Sequence, residues 1–185
     1  FPVRIETLGL AADSGGAGKY RGGLGYQKEI RVLADDAKFM SIADRSILSC
    51  WGLNGGKAGA PFKVTINPGS DDEQVMEGLC DREPVDYGAL IRVETTGGGG
   101  WGDPLERDVS LVQLDVLEGK VSQQAAKHDY GVVFVNDSEQ WEVDVEQTHT
   151  LREGMIQERG SLKFFDRGPG FELLAGRSEA EVDQI

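Results

Sequence analysis

Ala89-Leu-Ile-Arg-Val-Glu-Thr-Thr-Gly-Gly-Gly-Gly-Trp-Gly-Asp-Pro104 decides how this chain is read. Ala89, Ile91 and Val93 fall at period two, the spacing of a half-buried strand. The strand runs straight into four glycines, and beyond Pro104 the periodicity becomes helical. Strands therefore lie before this segment and helices after it.

Upstream, Val3-Arg-Ile-Glu-Thr-Leu8 alternates apolar and polar residues, and Gln27-Lys-Glu-Ile-Arg-Val-Leu33 does so less cleanly. Lys38-Phe-Met-Ser-Ile-Ala43 follows the turn signal Asp35-Asp36. Phe62-Lys-Val-Thr-Ile66 stops at Asn67-Pro-Gly69, which is turn chemistry. Five or six strands at these intervals suit a sandwich or an open barrel. Downstream, Asp108 is placed to cap a helix over Val109–Glu118, with Val109, Val112 and Val116 on one face and Gly119 at the C′ position. Ser122 caps a second helix, Gln123–Tyr130, closed by Gly131, with Val121 and Ala126 at staple positions. Val132-Val-Phe-Val135 reads as a short buried strand. Asp144, with Gln147 completing a capping box, opens a third helix to about Arg159. Its apolar stripe (Thr148, Leu151, Met155, Ile156) is thin, which suits a surface helix. The expected fold is α+β: mainly antiparallel sheet, with two or three short helices toward the C-terminus. The chain divides into a glycine-rich β segment (1–106), helices packed on it (107–160) and an extended tail (161–185) carrying Phe164-Phe165.

Glycine supplies 26 of the 185 residues, about twice its usual share. Seven of the seventeen residues from Gly9 to Gly25 are glycine, and two further clusters surround Trp51-Gly-Leu-Asn-Gly-Gly56 and the tetraglycine. Ordering glycine costs more backbone entropy than ordering any other residue. Such clusters mark positive φ, or places where another backbone, a subunit or a ligand comes within contact distance. Gly15, Gly16, Gly18, Gly22, Gly23, Gly55, Gly56, Gly98 and Gly99 are the close-approach candidates.

The formal charge of −13 argues against a nucleic-acid partner, because phosphate binding needs clustered Lys and Arg. No apolar run approaches the 18 residues of a membrane-spanning helix, so no membrane partner is expected. Cys50 and Cys80 are too few and too far apart for a disulfide framework or a zinc site. They read as free thiols of a cytoplasmic protein.

Gly15-Gly-Ala-Gly-Lys-Tyr20 invites a phosphate-loop reading, but Asp13 and Tyr20 stand where that loop needs Gly and Ser or Thr. A dinucleotide fingerprint fails too, since Arg21 replaces its third glycine. Lys19 and Arg21 could instead pair with Asp13 across a tight glycine turn, or hold an anionic group beside backbone that can approach closely. Trp51 and Trp101 border glycine clusters, as core packing or as a binding wall. His128 and His149 lack cysteine or carboxylate neighbours at metal spacing, and Ser14 lacks a strand-to-helix elbow. No catalytic residue and no metal ligand is assigned to this segment.

Four stretches together resemble one family: Asp13-Ser-Gly-Gly-Ala-Gly-Lys-Tyr-Arg-Gly-Gly-Leu-Gly25, Trp51–Gly56, Thr95–Pro104, and Asp115-Val-Leu-Glu-Gly-Lys-Val-Ser122 followed by Asp129-Tyr-Gly-Val-Val133. Their order and spacing are similar to the C-terminal part of the hydantoinase B/oxoprolinase family. The resemblance covers about residues 1–135, and the tail more loosely through Phe164-Phe-Asp-Arg-Gly-Pro169. It implies several hundred residues N-terminal to Phe1, in the same polypeptide or a separate subunit. It also implies a hydantoinase A-like partner carrying the ATP and magnesium site. Such pairs open cyclic amides (5-oxoproline, hydantoins, lactams) or carboxylate ketones such as acetone and acetophenone. In relatives with a metal centre, zinc or manganese, the His and Asp ligands belong to the missing N-terminal portion. The family's prolines before Trp-Gly-Leu are replaced here by Ser49-Cys50. Cyclic-amide hydrolysis is the first expectation and ketone carboxylation the alternative. Two roles stay open for the glycine clusters: lining a cavity, with Lys19 and Arg21 on an anion, or packing backbone to backbone between subunits as a scaffold.

Overall fold

Residues 2–135, 141–178 and 182 are described by a computed structural model. In chain order the elements are β1 (Val3–Leu10), β2 (Tyr26–Val32), β3 (Ala37–Ile42), β4 (Gly52–Leu53), β5 (Lys63–Ile66), β6 (Gln74–Met76), β7 (Leu79–Val85), β8 (Leu90–Glu94), a 3-10 turn (Pro104–Glu106), α1 (Val109–Leu117), α2 (Gln123–Tyr130), α3 (Val145–Arg159), β9 (Phe165–Asp166) and α4 (Gly170–Ala175). The fold is α+β, with antiparallel strands first and helices later.

Five strands form one open sheet in the order β1-β2-β8-β5-β6, and β3 pairs with β7. Cross-strand partners share a face, so the register sorts the residues. Ile30 lies opposite Ile91, Lys28 opposite Val93, and Val64 opposite both Val93 and Met76. That face carries Val32, Val64, Ile66 and Ile91, with Ala89 beside them, into which the β3–β7 pair inserts Ala37, Phe39 and Val85 to complete the core. The other face is polar. Arg92 Nη2 donates to Glu29 Oε1 at 2.7 Å and Arg31 Nε to Glu6 Oε1 at 3.1 Å. The Arg92 hydrogen bond holds the Glu29 carboxyl below its usual range.

Among the described residues there is no closed barrel: the sheet is covered on one side by a two-stranded layer. The alternation rule missed β7 because Cys80-Asp-Arg-Glu-Pro-Val85 is polar and holds a proline. Pro84 is tolerated because β7 pairs with β3 alone, leaving it at an edge. Val132-Val-Phe-Val135 also departs from expectation. Phe134 makes only an isolated bridge to Val143, although Val132 and Phe134 are buried. Residues 136–140 lie outside the described set.

The helix signals are local and they act locally. Asp108 accepts from Ser110 N–H, Ser122 from Ala125 N–H and Asp144 from Gln147 N–H. Gln147 Nε2 reaches back to the Asp144 carboxylate rather than to its N–H, which is donated to Val133 O at 2.8 Å. Gly131 ends α2 at φ 61°, the left-handed region that favours glycine. A second core of Val112, Val116, Val121, Ala126, Tyr130, Val132 and Phe134 joins these helices to Ala17 of the glycine-rich segment. Only Thr148 of α3 is buried, and Arg152 fastens that helix by donating to Tyr130 O and Arg107 O at 2.9 Å each. The tail is not simply extended. Leu53 and Gly52 pair with Phe165 and Asp166, and α4 follows, with Phe165 packed edge-on against Trp51 while Phe164 stays exposed. Residues 179–181 and 183–185 lie outside the described set.

Candidate functional site: a glycine framework and the cleft beside it

The three glycine clusters meet one another. Gly97–Gly100 runs between two neighbours and bonds to both. Gly16 N–H donates to Gly98 O at 2.9 Å and Gly98 N–H to Gly23 O at 2.8 Å; on the other side Gly97 N–H donates to Ala60 O at 3.0 Å and Gly100 N–H to Lys57 O at 2.9 Å. The two flanking segments also touch, with Lys57 N–H on Ala17 O at 2.7 Å and Ala60 N–H on Ser14 O at 2.8 Å. Backbone thus packs against backbone on three sides, inside one chain.

Lack of a side chain, rather than unusual φ, is what these positions require. A Cβ on Gly16 would lie 2.0 Å from Lys57 O, on Gly22 2.0 Å from Gly98 O, on Gly99 1.8 Å from Trp51 O and on Gly56 2.3 Å from Gly100 O. Gly15 and Gly18 face backbone at 2.3 and 2.7 Å, while Gly98 meets Gly23 N at 3.1 Å. Gly23 itself has nothing within 4 Å, and Gly55 differs in kind, with φ 92° and Leu162 as its neighbour.

One charged cluster fixes the framework to the helices. Asp115, on α1 and buried, accepts from Arg21 Nε at 3.1 Å, Arg21 Nη2 at 3.2 Å and Arg107 Nη2 at 2.8 Å. Arg21 Nη1 donates to Gly22 O and Arg107 Nη1 to Lys19 O. Each guanidinium therefore spans a carboxylate and the glycine backbone. A buried charge network of this kind is weak support for stability as a whole, but removing one member leaves an uncompensated buried charge. Burial pushes the neighbouring Tyr130 hydroxyl up to about 12. The sequence expectation that Asp13 pairs with Lys19 and Arg21 is corrected. Asp13 Oδ1 accepts from Ser122 N–H at 2.7 Å, and Lys19 Nζ pairs with exposed Glu106 at 3.1 Å.

The two tryptophans take different places. Trp101 is half exposed, bridged to Tyr20 on one side and Leu53 on the other, with the Tyr20 ring at 5.7 Å. Trp51 meets Phe165 edge-on at 5.7 Å, and the Arg167 guanidinium lies 5.3 Å from Trp51, 4.9 Å from Phe165 and 5.0 Å from Phe171. Arg167 is buried among these rings. Sequence reading missed it, since Phe165 and Phe171 are its near neighbours in the tail but Trp51 comes from a distant segment.

Beside the framework lies a cleft of about 380 Å³. Gly55 and Gly56 form one wall and Pro104, Leu105, Met155 and Leu162 an apolar lining; Lys57, Arg159, Lys163, Asp129 and Asp166 supply charge, and His128 a further polar side chain. Arg159 pairs with Asp103. Both Asp166 oxygens are taken by backbone, Oδ2 by Ala58 N–H and Oδ1 by Gly168 N–H at 3.0 Å each. His128 Nδ1 lies 3.1 Å from Asp129 Oδ1. Lys19, Arg21, Trp51 and Trp101 do not line this cleft. Among the described residues no group of three or more His, Cys, Asp or Glu side chains is placed to hold a metal ion. The carboxylates Asp103, Asp115 and Asp166 are already engaged by guanidinium or N–H donors.

The family model for hydantoinase B/oxoprolinase matches residues 1–104. The B-type component of a putative D-/L-hydantoinase from a Pseudomonas species is 33% identical over 153 residues, covering 82% of this chain and 25% of the relative. Among solved structures, a nucleotide-free acetone carboxylase superposes with a TM-score of 0.74 at 25% identity, over 95% of this chain and 27% of that one. The ATP-dependent caprolactamase of Pseudomonas jessenii gives 0.58 at 28% identity, over 83% and 26%. The chain spans about a quarter of the length of the curated relatives it matches.

Proposed function

Since the chain belongs to the hydantoinase B/oxoprolinase family, we propose that it is a segment of a hydantoinase B-like subunit in an ATP-dependent, cytoplasmic, multi-subunit enzyme that hydrolyses a cyclic amide. The substrate class is 5-oxoproline, a hydantoin or a lactam. Similarity to a hydantoinase component and to an ATP-dependent caprolactamase supports this reading. The observation that carries the chain's own part in it is the glycine framework. Gly16, Gly22, Gly56 and Gly99 hold three segments at backbone contact, a rigid wall with few reactive side chains. The segment shapes and supports a site whose reacting groups lie elsewhere in the subunit. Lys19 and Arg21 serve the framework as partners of Glu106 and Asp115, and Trp51 holds Arg167 in place.

In this proposal ATP with magnesium is bound by a hydantoinase A-like partner, and any zinc or manganese by the part of the subunit outside these residues. No chemical step is routed through this segment. Ketone carboxylation is the second reading, favoured by the superposition with acetone carboxylase over 95% of the chain. The test is to purify the native assembly and follow ATP consumption with 5-oxoproline, hydantoins, caprolactam, or bicarbonate plus ketones. ATP turnover with an opened amide product is expected. Carboxylated ketone as the product would replace the first reading with the second. Amide hydrolysis by these residues alone, without ATP, would contradict both.

A further inference from the structure

The apolar face of the five-stranded sheet does not end where its cover ends. In β1 the register shifts between Ile5 and Thr7, so Ile5 lies opposite Ile30 while Leu8 lies opposite Lys28 and Leu10 opposite Tyr26. The bulge at Glu6 has a definite effect. Without it, strict alternation would turn Leu8 and Leu10 to the polar face. With it, Val3, Ile5, Leu8 and Leu10 all join Ile30 and Val32 on the apolar side. The β3–β7 layer covers β2, β8 and β5 but stops short of β1. Val3 and Ile5 are each 46% exposed, Tyr26 47%, Leu10 61% and Leu8 67%, and Leu8, Leu10, Tyr26 and Lys28 line a shallow groove.

We propose that this β1–β2 face is the seat of an apolar element supplied by the part of the hydantoinase B-like subunit outside these 185 residues. That element would extend the layer begun by β3 and β7. The inference rests on the family reading only in requiring a longer subunit. Three observations select this occupant. Through Val3 and Ile5, which lie opposite Val32 and Ile30, the patch continues the Val32–Ile91 core directly, with Lys28 the one charged side chain on this face beside Leu8, as in an obligate contact that resembles a domain core cut in half. A stable association between separate copies engages roughly 20–30 residues a side, whereas this patch offers five apolar side chains. An element of the same subunit, already held nearby, avoids most of the association cost. Finally, the bulge and the Arg4–Glu6 ion pair along β1 discourage strand-to-strand pairing of two such edges. The remaining three quarters of the relatives' length is ample to supply the cover.

Two measurements on the native assembly test this. A photo-crosslinker introduced as Leu8→p-benzoylphenylalanine is activated, and the joined peptide is identified by mass spectrometry. The expected partner is a peptide from the same subunit outside these residues. A crosslink to this segment of a second copy, or to an ATP-binding subunit, overturns the proposal. Hydroxyl-radical footprinting of the unsubstituted assembly guards against a damaged variant. Leu8, Leu10 and Tyr26 should be protected at least tenfold relative to their intrinsic reactivity, and full reactivity overturns the proposal. Substrate turnover by the same preparation is read separately, so failure of the interface and failure of the proposed activity are distinguishable.

Discussion

The β-sheet core and the glycine framework share one chain yet hold together by opposite means. In the sheet, Val32, Val64, Ile66 and Ile91 interlock side chains, each contributing about 1.5–3 kcal/mol by burial. In the framework there is almost nothing to bury, and stability comes from hydrogen bonds such as Gly16 N–H to Gly98 O together with close backbone contact. One region is injured by removing atoms and the other by adding them. A residue's size therefore says nothing about its importance until its surroundings are known.

Four perturbations probe that contrast. Gly16→Ala should have the largest effect. Its Cβ would meet Lys57 O at 2.0 Å and Gly100 N at 2.8 Å, and neither is the end of a flexible side chain that can swing aside. We expect a loss of at least about 4 kcal/mol in denaturant unfolding, the range reserved for named structural defects. Asp115→Asn should cost about 3 kcal/mol, since two guanidinium groups lose their buried counter-charge. A loss under half that would mean that the network does not anchor the framework.

Tyr130 gives a pH-dependent probe on the order of 2–3 kcal/mol. Its folded pKa is raised by burial to about 12 from 10.0. The stability this adds is complete below pH 10 and is lost as pH rises toward 12, as the phenolate is forced to form in the interior. Tyr130→Phe should remove this alkaline slope in stability measured against pH. Ile91→Val, in the sheet, should cost only about 1 kcal/mol. A larger loss than from Gly16→Ala would reverse the comparison.

Legibility followed distance along the chain. Helix caps at Asp108, Ser122 and Asp144 were readable because donor and acceptor lie within three residues. Strands with alternation, such as β2 and β8, were readable for the same reason. By contrast, β7 hid behind Pro84, and the two-residue β4 and β9 carry no period at all. Arg21 shows the limit at the candidate site. Its carboxylate partner is 94 residues away, whereas the nearer Asp13 offered itself in sequence and turned out to accept from Ser122 N–H. Glycines announce that something comes close without saying what, because they carry no chemistry to match. Arg167 was invisible for a related reason: Phe165 and Phe171 lie close to it in sequence, but Trp51 joins them only once the tail has turned back.

Adjacent glycines offer the most direct test of the framework. A Cβ on Gly22 would lie 2.0 Å from Gly98 O, whereas a Cβ on Gly23 would meet nothing within 4 Å, and neither residue has positive φ. Equilibrium unfolding of Gly22→Ala and Gly23→Ala should differ sharply. A loss of more than about 3 kcal/mol is expected for the first, and a change within about 0.5 kcal/mol, or a small gain, for the second. Equal effects at the two positions would contradict a framework built on backbone contact.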